Sequence, residues 1–298
     1  MNKIVLTGAS GLLGRAIMAE LSTNFDIIGL GLNRIHSGIQ KLNLLDTENV
    51  NEFMWTIKPN ILIHSAAERR PDISQNDPQR TVALNVEATR HLAKLAYQTG
   101  CWMIFLSTNY VFDGTSPPYR PKDSTNPLNL YGQSKLDGEN AVRAETDQFC
   151  ILRLPALYGQ VEFLSETSIT QIGEQIRSAE KISIDHWSIR RPTWVNDVAV
   201  VCRQIIEHRS SQSNFNGTYH WSANEPMTKY QIAKSMGEVV NCSTTHLIPD
   251  VKPPVGVPRP QDCELDCSNL VNLGIGQQTP FQKAIYHSLI SFFESPST

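Results

Sequence analysis

Tyr131 and Lys135 stand four residues apart in the segment Asn126-Pro127-Leu128-Asn129-Leu130-Tyr131-Gly132-Gln133-Ser134-Lys135. On a helix that spacing puts both side chains on one face, about 6 Å apart along the axis. An ammonium beside a phenol favours the phenolate and lowers its pKa from about 10 toward neutrality. Tyr131 would then be a usable general acid or base. Alone, the same spacing describes an ordinary amphipathic surface pair. Asn126 suits a helix N-cap and Pro127 the first helical position, so the helix is expected to begin there.

A second group raises the interest of the first. The apolar run Trp102–Leu106 leads into Ser107-Thr108-Asn109-Tyr110-Val111-Phe112-Asp113-Gly114. A hydroxyl at the C-terminal end of a parallel strand faces the crevice where α/β sheets bind ligands. Thr108, or with less support Ser107, could hold a substrate carbonyl beside Tyr131. The third group is Thr7-Gly8-Ala9-Ser10-Gly11-Leu12-Leu13-Gly14. Gly8 allows a tight exit from a strand, Gly11 lets backbone N–H groups approach a pyrophosphate, and Gly14 lets the helix pack closely. The helix N-terminus then offers unpaired amides and a positive dipole end to the phosphates. Gly8, Ser10, Gly11, Leu12 and Gly14 are the cofactor contacts expected of this loop. Beyond the second strand, Gly29-Leu30-Gly31-Leu32-Asn33-Arg34 holds no carboxylate for a ribose 2′-hydroxyl but does hold Arg34. This favours NADP(H), with NAD(H) as the alternative. Asp46 either meets the adenine edge or caps the next helix.

These residues need a frame. Strands are expected over Lys3–Thr7, Asp26–Leu30, Asn60–His64, Trp102–Ser107 and Cys150–Leu154. Helices are expected near Leu12–Leu21, Thr47–Ile57, Pro78–Thr99 and Pro127–Ala144. This alternation predicts a Rossmann-type, doubly wound parallel sheet, residues 1–155, that carries the cofactor and the catalytic residues. After Pro155 short strands (Lys181–Ile184, Thr218–Trp221) mix with helices (Thr193–Glu207, Thr228–Val239, Pro280–Phe293) and the proline-rich Pro249–Pro260. That predicts a smaller, irregular α/β substrate lobe, residues 156–298, with room for some of its elements to return to the main sheet.

The composition narrows the classes. The 298 residues are 40% apolar and 18% charged, which describes an ordinary globular chain. Twenty-six basic residues against 29 acidic ones give no support for a nucleic-acid or membrane surface. No apolar run approaches the roughly 20 residues of a membrane span, and the short N-terminal apolar stretch runs straight into the glycine loop, so a cytoplasmic protein is expected. Six scattered cysteines read as buried thiols, and no His or Cys spacing suggests a metal.

The segments Thr7–Gly14, Ala66-Ala67, Leu84-Asn85-Val86, Ser107–Gly114 and Pro127–Lys135 resemble the extended short-chain dehydrogenases/reductases, specifically the dTDP-4-dehydrorhamnose reductase family. Leu152-Arg153, Leu157-Tyr158-Gly159, Pro192-Thr193 and Arg259-Pro260 continue the likeness over nearly the whole chain. Within that family, Ala66–Asp72, Asp185-His186-Trp187, Val201–Gln204, Met227–Tyr230 and Leu265–Gln277 look most like the regulatory β subunits of methionine adenosyltransferase. Two departures stand out: Asn109 replaces a usual Asp, and the β subunits carry a longer basic, aromatic tail where this chain has Phe292–Thr298.

The resemblance makes Tyr131 the proton donor, Lys135 its tuner and ribose anchor, and Thr108 the carbonyl holder. It puts Ala66, Ala67 and Asn85 on the cofactor, with Pro155 and Leu157 near the carboxamide. Arg69, Tyr110 and Arg259 fall on the substrate side, Arg259 toward a diphosphate. Arg69 and Arg70 either hold a nucleotide diphosphate or a partner's acidic patch or form a solvated pair, and Trp187, Trp194 and Trp221 are expected in the core. The expected function is NADPH-dependent reduction of a nucleotide-linked 4-keto-6-deoxysugar. The alternative is an NADP-binding regulatory subunit with a methionine adenosyltransferase catalytic subunit as partner. A homodimer is left open by either reading.

Overall fold

A computed structural model describes residues 2–36, 38–212 and 214–293. The tail residues Glu294–Thr298, compared above with a longer tail, lie outside the described residues.

In chain order the elements are β1 (Lys3–Thr7), α1 (Leu12–Leu21), β2 (Asp26–Gly31), β3 (Ile39–Lys41), α2 (Thr47–Ile57), β4 (Ile61–His64), α3 (Pro71–Asn76), α4 (Pro78–Val82) and α5 (Ala88–Thr99). Next come β5 (Trp102–Thr108), α6 (Leu130–Glu145), β6 (Phe149–Leu154), β7 (Leu157–Tyr158), α7 (Ile172–Ile176), β8 (Ile182–Asp185), β9 (Thr193–Trp194) and α8 (Val195–Ser211). β10 (Gly217–His220), α9 (Lys229–Val239), β11 (Leu247–Asp250), α10 (Ser268–Val271) and α11 (Phe281–Phe293) complete the described chain. One turn of π-helix, Ala83–Glu87, joins α4 to α5, so the expected single helix from Pro78 is interrupted.

Seven parallel strands form the main sheet in the order β10-β6-β5-β4-β1-β2-β3. The first six positions from β3 follow the Rossmann order, with the order of strand addition switching sides between β1 and β4. Both faces are covered, which is why the strands read as continuous apolar runs. In β1, Ile4 and Leu6 face α1 and α8, while Val5 faces the layer of α2, α5 and α6. β10 comes from the second half of the sequence and pairs with β6 from Gly217↔Cys150 to His220↔Arg153. α8 likewise packs against α1 on the main sheet. A separate core gathers Tyr158, Ile172, Ile232, Met236, Phe281 and Ile285 from the second lobe.

β3 went unread because three residues give too short a pattern, and β7, β9 and β11 are edge pieces of two to four residues. All six cysteines are free thiols, four of them buried. Among the described residues no helix is long and apolar enough to cross a membrane, and no group of three or more His, Cys, Asp or Glu side chains could hold a metal.

Candidate active site

α6 begins at Leu130, not at Pro127. Its cap is Asn129, whose side chain accepts from the Gly132 N–H at 2.9 Å. Asn126 is drawn instead into the loop before it: its backbone N–H donates to Val111 O, and its side-chain amide donates to Asp113, both at 2.9 Å. The capping signal is therefore correct in kind and displaced by one Asn, because the loop competes for the first. Asn129 also donates to the Pro258 carbonyl at 2.8 Å, tying the start of α6 to the proline-rich segment.

Tyr131 lies in the first turn of this helix, half-buried, with Thr108 at the strand end beside it. Burial pushes the phenol up to about 12, while the Thr108 hydroxyl and the Arg69 cation act to draw it back. Lys135, one turn on, is only 4% exposed. Its Nζ donates to Leu106 O at 2.7 Å and lies 4.0 Å from the centre of the Phe105 ring. Burial lowers its pKa to about 7, with Glu139 resisting. The expected effect of Lys135, a phenol held near neutrality, is thus corrected: the ammonium is committed to a main-chain carbonyl beneath the site. A phenol that keeps its proton at neutral pH can donate one and is poorly suited to take one.

The strand end separates the two hydroxyls. Ser107 turns inward and donates to Glu139 Oε1 at 2.6 Å, and Glu139 is in turn held by Arg153 at 2.7 Å and Arg143 at 2.9 Å. Thr108 turns to Tyr131 and accepts from the Tyr110 N–H at 3.2 Å. Successive side chains on a strand point to opposite faces, which decides between them. The Tyr110 ring meets the Tyr131 ring edge-on at 6.1 Å, and the Arg190 guanidinium lies 5.9 Å from the Tyr110 ring centre. α6 can approach this closely because residue 132 is glycine: a Cβ there would run into the Tyr110 carbonyl.

The glycine loop is built as a cradle. Gly8 has φ +70°, and a Cβ on it would sit 2.8 Å from Ala66 N; a Cβ on Gly14 would overlap the Gly8 carbonyl. α1 starts at Leu12 after Gly11, and no side chain caps its first amides. Ser10 is buried and Leu12 half-buried. These features fit a pyrophosphate held by main chain. Across the switch point, Thr7 Oγ1 accepts from the backbone N–H groups of Ser65 and Ala66, both at 3.2 Å, and so fixes the approach to Ala66 and Ala67. Asn85, buried in the π-turn, accepts from Glu68 N at 2.8 Å and donates to Glu68 O at 2.9 Å, pinning the same loop. Asp46 caps α2, accepting from the Asn49 N–H at 3.2 Å. Pro155 and Leu157 are half-buried where β6 leaves the sheet.

Arg34 follows β2, as expected, and forms ion pairs at 3.0 Å with both Glu162 and Glu166. Those two acids, and Arg15 which shares them, were not singled out from the sequence. The signal was Arg15 itself: a cation at the positive end of a phosphate-binding helix calls for an anion nearby. On the substrate side, Arg259 pairs with Asp72 at 2.7 Å and Arg70 with Glu68 at 2.8 Å. Arg69 donates to the Glu166 carbonyl. Trp221 is buried in the main core, while Trp187 and Trp194 are half-buried.

A parallel sheet in this order, a glycine cradle at its switch point and a Thr–Tyr–Lys set beside it define a Rossmann-type fold of the short-chain dehydrogenase/reductase class. The chain belongs to the RmlD family: the RmlD substrate binding domain matches residues 1–293. Its sequence is 45% identical to the methionine adenosyltransferase 2 subunit beta of Bos taurus over 97% of this chain and 88% of that one. It is 26% identical to the dTDP-4-dehydrorhamnose reductase of Sinorhizobium fredii over 90% of each chain. Among solved structures it is similar to the dTDP-4-dehydrorhamnose reductase of Bacillus anthracis in complex with NADP, with TM-score 0.84 and 24% identity over 97% of this chain and 99% of that one. It is also similar to the Bordetella bronchiseptica enzyme WbmG in complex with NAD, with TM-score 0.82 and 20% identity over 98% and 94%.

Proposed function

We propose that the chain is a nicotinamide-dinucleotide-binding regulatory subunit, NADP(H) preferred, that pairs with a methionine adenosyltransferase catalytic subunit. The likeness to the subunit beta over nearly the whole chain carries this reading. The cleft supports it. Of the arginines on the substrate side, Arg259 and the neighbouring Arg70 are paired with this chain's own Asp72 and Glu68, and Arg69 is turned to the Glu166 carbonyl. The cofactor preference rests on Arg34 beyond β2 and on the absence of an acid at the end of that strand.

A second reading, an NADPH-dependent reductase of a nucleotide-linked 4-keto-6-deoxysugar, is favoured by the juxtaposition of Thr108 and Tyr131. When bound, the nicotinamide supplies the hydride for the keto carbon. Tyr131, protonated at neutral pH, donates to the carbonyl oxygen as it gains charge. Thr108 hydrogen-bonds the same oxygen, and Lys135, tied to the Leu106 carbonyl, anchors the helix that carries Tyr131.

One purified preparation tests both readings. NADPH binding is titrated, oxidation is followed with dTDP-4-keto-6-deoxy-L-mannose, and capture of a methionine adenosyltransferase catalytic subunit is measured by co-purification. A stoichiometric complex without turnover supports the regulatory subunit. Steady turnover that vanishes in Tyr131→Phe, with no complex, gives the function to the reductase.

A further inference from the structure

Arg15 in the first turn of α1, Arg34 after β2 and Arg69 after β4 stand beyond the C-terminal ends of neighbouring strands, and all three close on one residue of the second lobe. Glu166 is 3% exposed. Its Oε1 accepts from Arg15 and Arg34, each at 3.0 Å, and its Oε2 accepts from Arg15 at 2.8 Å and from the Glu162 N–H at 3.0 Å. Its carbonyl accepts from Arg69. Glu162 adds a pair with Arg34 at 3.0 Å and lies 3.5 Å from Arg15. Residues 160–166 therefore run as a strap from the glycine-loop helix to the ends of β2 and β4. That is the mouth of the crevice at the topological switch point, where an open α/β sheet takes its dinucleotide.

The chemistry of the pairing is that of anion recognition. Arg15 engages the carboxylate through two nitrogens, the bidentate geometry by which guanidinium groups also hold phosphate. Two guanidiniums, Arg15 and Arg34, share the two carboxylates, while Arg69 reaches Glu166 only at its main-chain carbonyl and adds a third positive charge beside them. Arg34 cannot give its NH1 fully to a 2′-phosphate while that nitrogen serves both Glu162 and Glu166. A ligand without the 2′-phosphate does not compete for it.

We infer that Glu166 is an internal competitor for the 2′-phosphate of the dinucleotide, and that this one carboxylate sets how strongly the protein distinguishes NADP(H) from NAD(H). The inference rests on the dinucleotide-binding reading above. Glu166 is a specificity-determining residue on this account, and the strap is the means by which the second lobe reports on the cofactor. Glu162, partly exposed, contributes the same competition more weakly.

Binding of NADPH and of NADH to the full chain, each followed by nucleotide fluorescence, tests it. Glu166→Gln keeps the size and much of the hydrogen bonding of the side chain but removes its charge. The ratio of NADPH to NADH affinity is expected to rise on the order of tenfold, with NADH affinity little changed. Glu162→Gln, at a more exposed position, is expected to raise the same ratio by about threefold. An unchanged ratio, or equal weakening of both nucleotides in Glu166→Gln, would make the strap purely structural and overturn the inference. If Glu166→Gln does not fold, an unchanged ratio in Glu162→Gln overturns it as well. A wild-type protein that binds neither nucleotide removes the dinucleotide reading itself, and this inference with it.

Discussion

The Lys135 ammonium donates to the Leu106 carbonyl at 2.7 Å, one residue before the strand end that carries Ser107 and Thr108. The contact joins α6 to β5 underneath the site and leaves the ammonium almost without water. Its pKa in the folded chain is lowered by burial to about 7, against 10.5 for the free side chain. Between those two values the unfolded chain binds the extra proton, so stability should rise with pH across this window, by at most about 1.4 kcal/mol per unit for one group. Lys135→Met removes that increment. Urea unfolding of the ligand-free protein at a series of pH values from neutral to alkaline measures it, and equal slopes for variant and wild type would show that Lys135 is not the titrating group.

Tyr131→Phe deletes the phenol without altering the fold around it. If the site is a reductase, the loss of its proton donor should lower turnover by about 10²–10⁴-fold while NADPH affinity changes little. Thr108→Val removes the hydroxyl partner at constant shape and should lower turnover less. Burial and the nearby Thr108 hydroxyl act on the phenol in opposite directions, and burial prevails. The acid limb of any pH–rate profile should therefore be flat with respect to Tyr131, and activity should fall only in the alkaline range, as the phenol loses its proton. Retained turnover in Tyr131→Phe removes it from the proton-donor role.

Gly132→Ala puts a methyl group against the Tyr110 carbonyl, a main-chain atom with little room to yield. The expected cost is about 1–3 kcal/mol of stability. The larger consequence is positional: α6 has to move away from the loop after β5, and Tyr131 with it from Thr108. Denaturant midpoints measure the first effect. A variant as stable as wild type would mean that the helix start adapts more freely than this packing implies.

Glu139 is fully buried between Ser107, Arg153 and Arg143. Burial alone would raise its pKa, yet the hydrogen bond and charge of Arg153 and the hydrogen bond from Ser107 hold the carboxyl below its ordinary value. Arg153, equally buried, would be left as an unpaired charge in Glu139→Ala, at a cost of about 3–5 kcal/mol. The pair Glu139→Leu with Arg153→Met should recover much of that loss. Thermal unfolding of the two variants checks the pattern, and a Glu139→Ala variant no less stable than the double would refute it.

The glycine loop, the five main strands and the Tyr131–Lys135 spacing could all be read from the chain, because each rests on local periodicity or on a backbone requirement carried by one short segment. Gly8 and Gly14 illustrate this: the sequence implies close packing at both, and the packing atoms prove to be Ala66 N and the Gly8 carbonyl. The choice between Ser107 and Thr108 was not legible locally, since it depends on which face of β5 meets Glu139.

The same division holds for charge. Sequence alone located Arg34 and Arg259 and the chemistry of a guanidinium, but not that each already holds a carboxylate from a distant part of the chain: Glu162 and Glu166 for one, Asp72 for the other. The shift of the Tyr131 phenol escaped it for a related reason. Spacing along α6 fixes that two side chains share a face, whereas a pKa depends on burial and on every group that approaches through space. Those approaches are made by loops after β1, β2, β4 and β5 and by the second lobe, and only the folded chain brings them together.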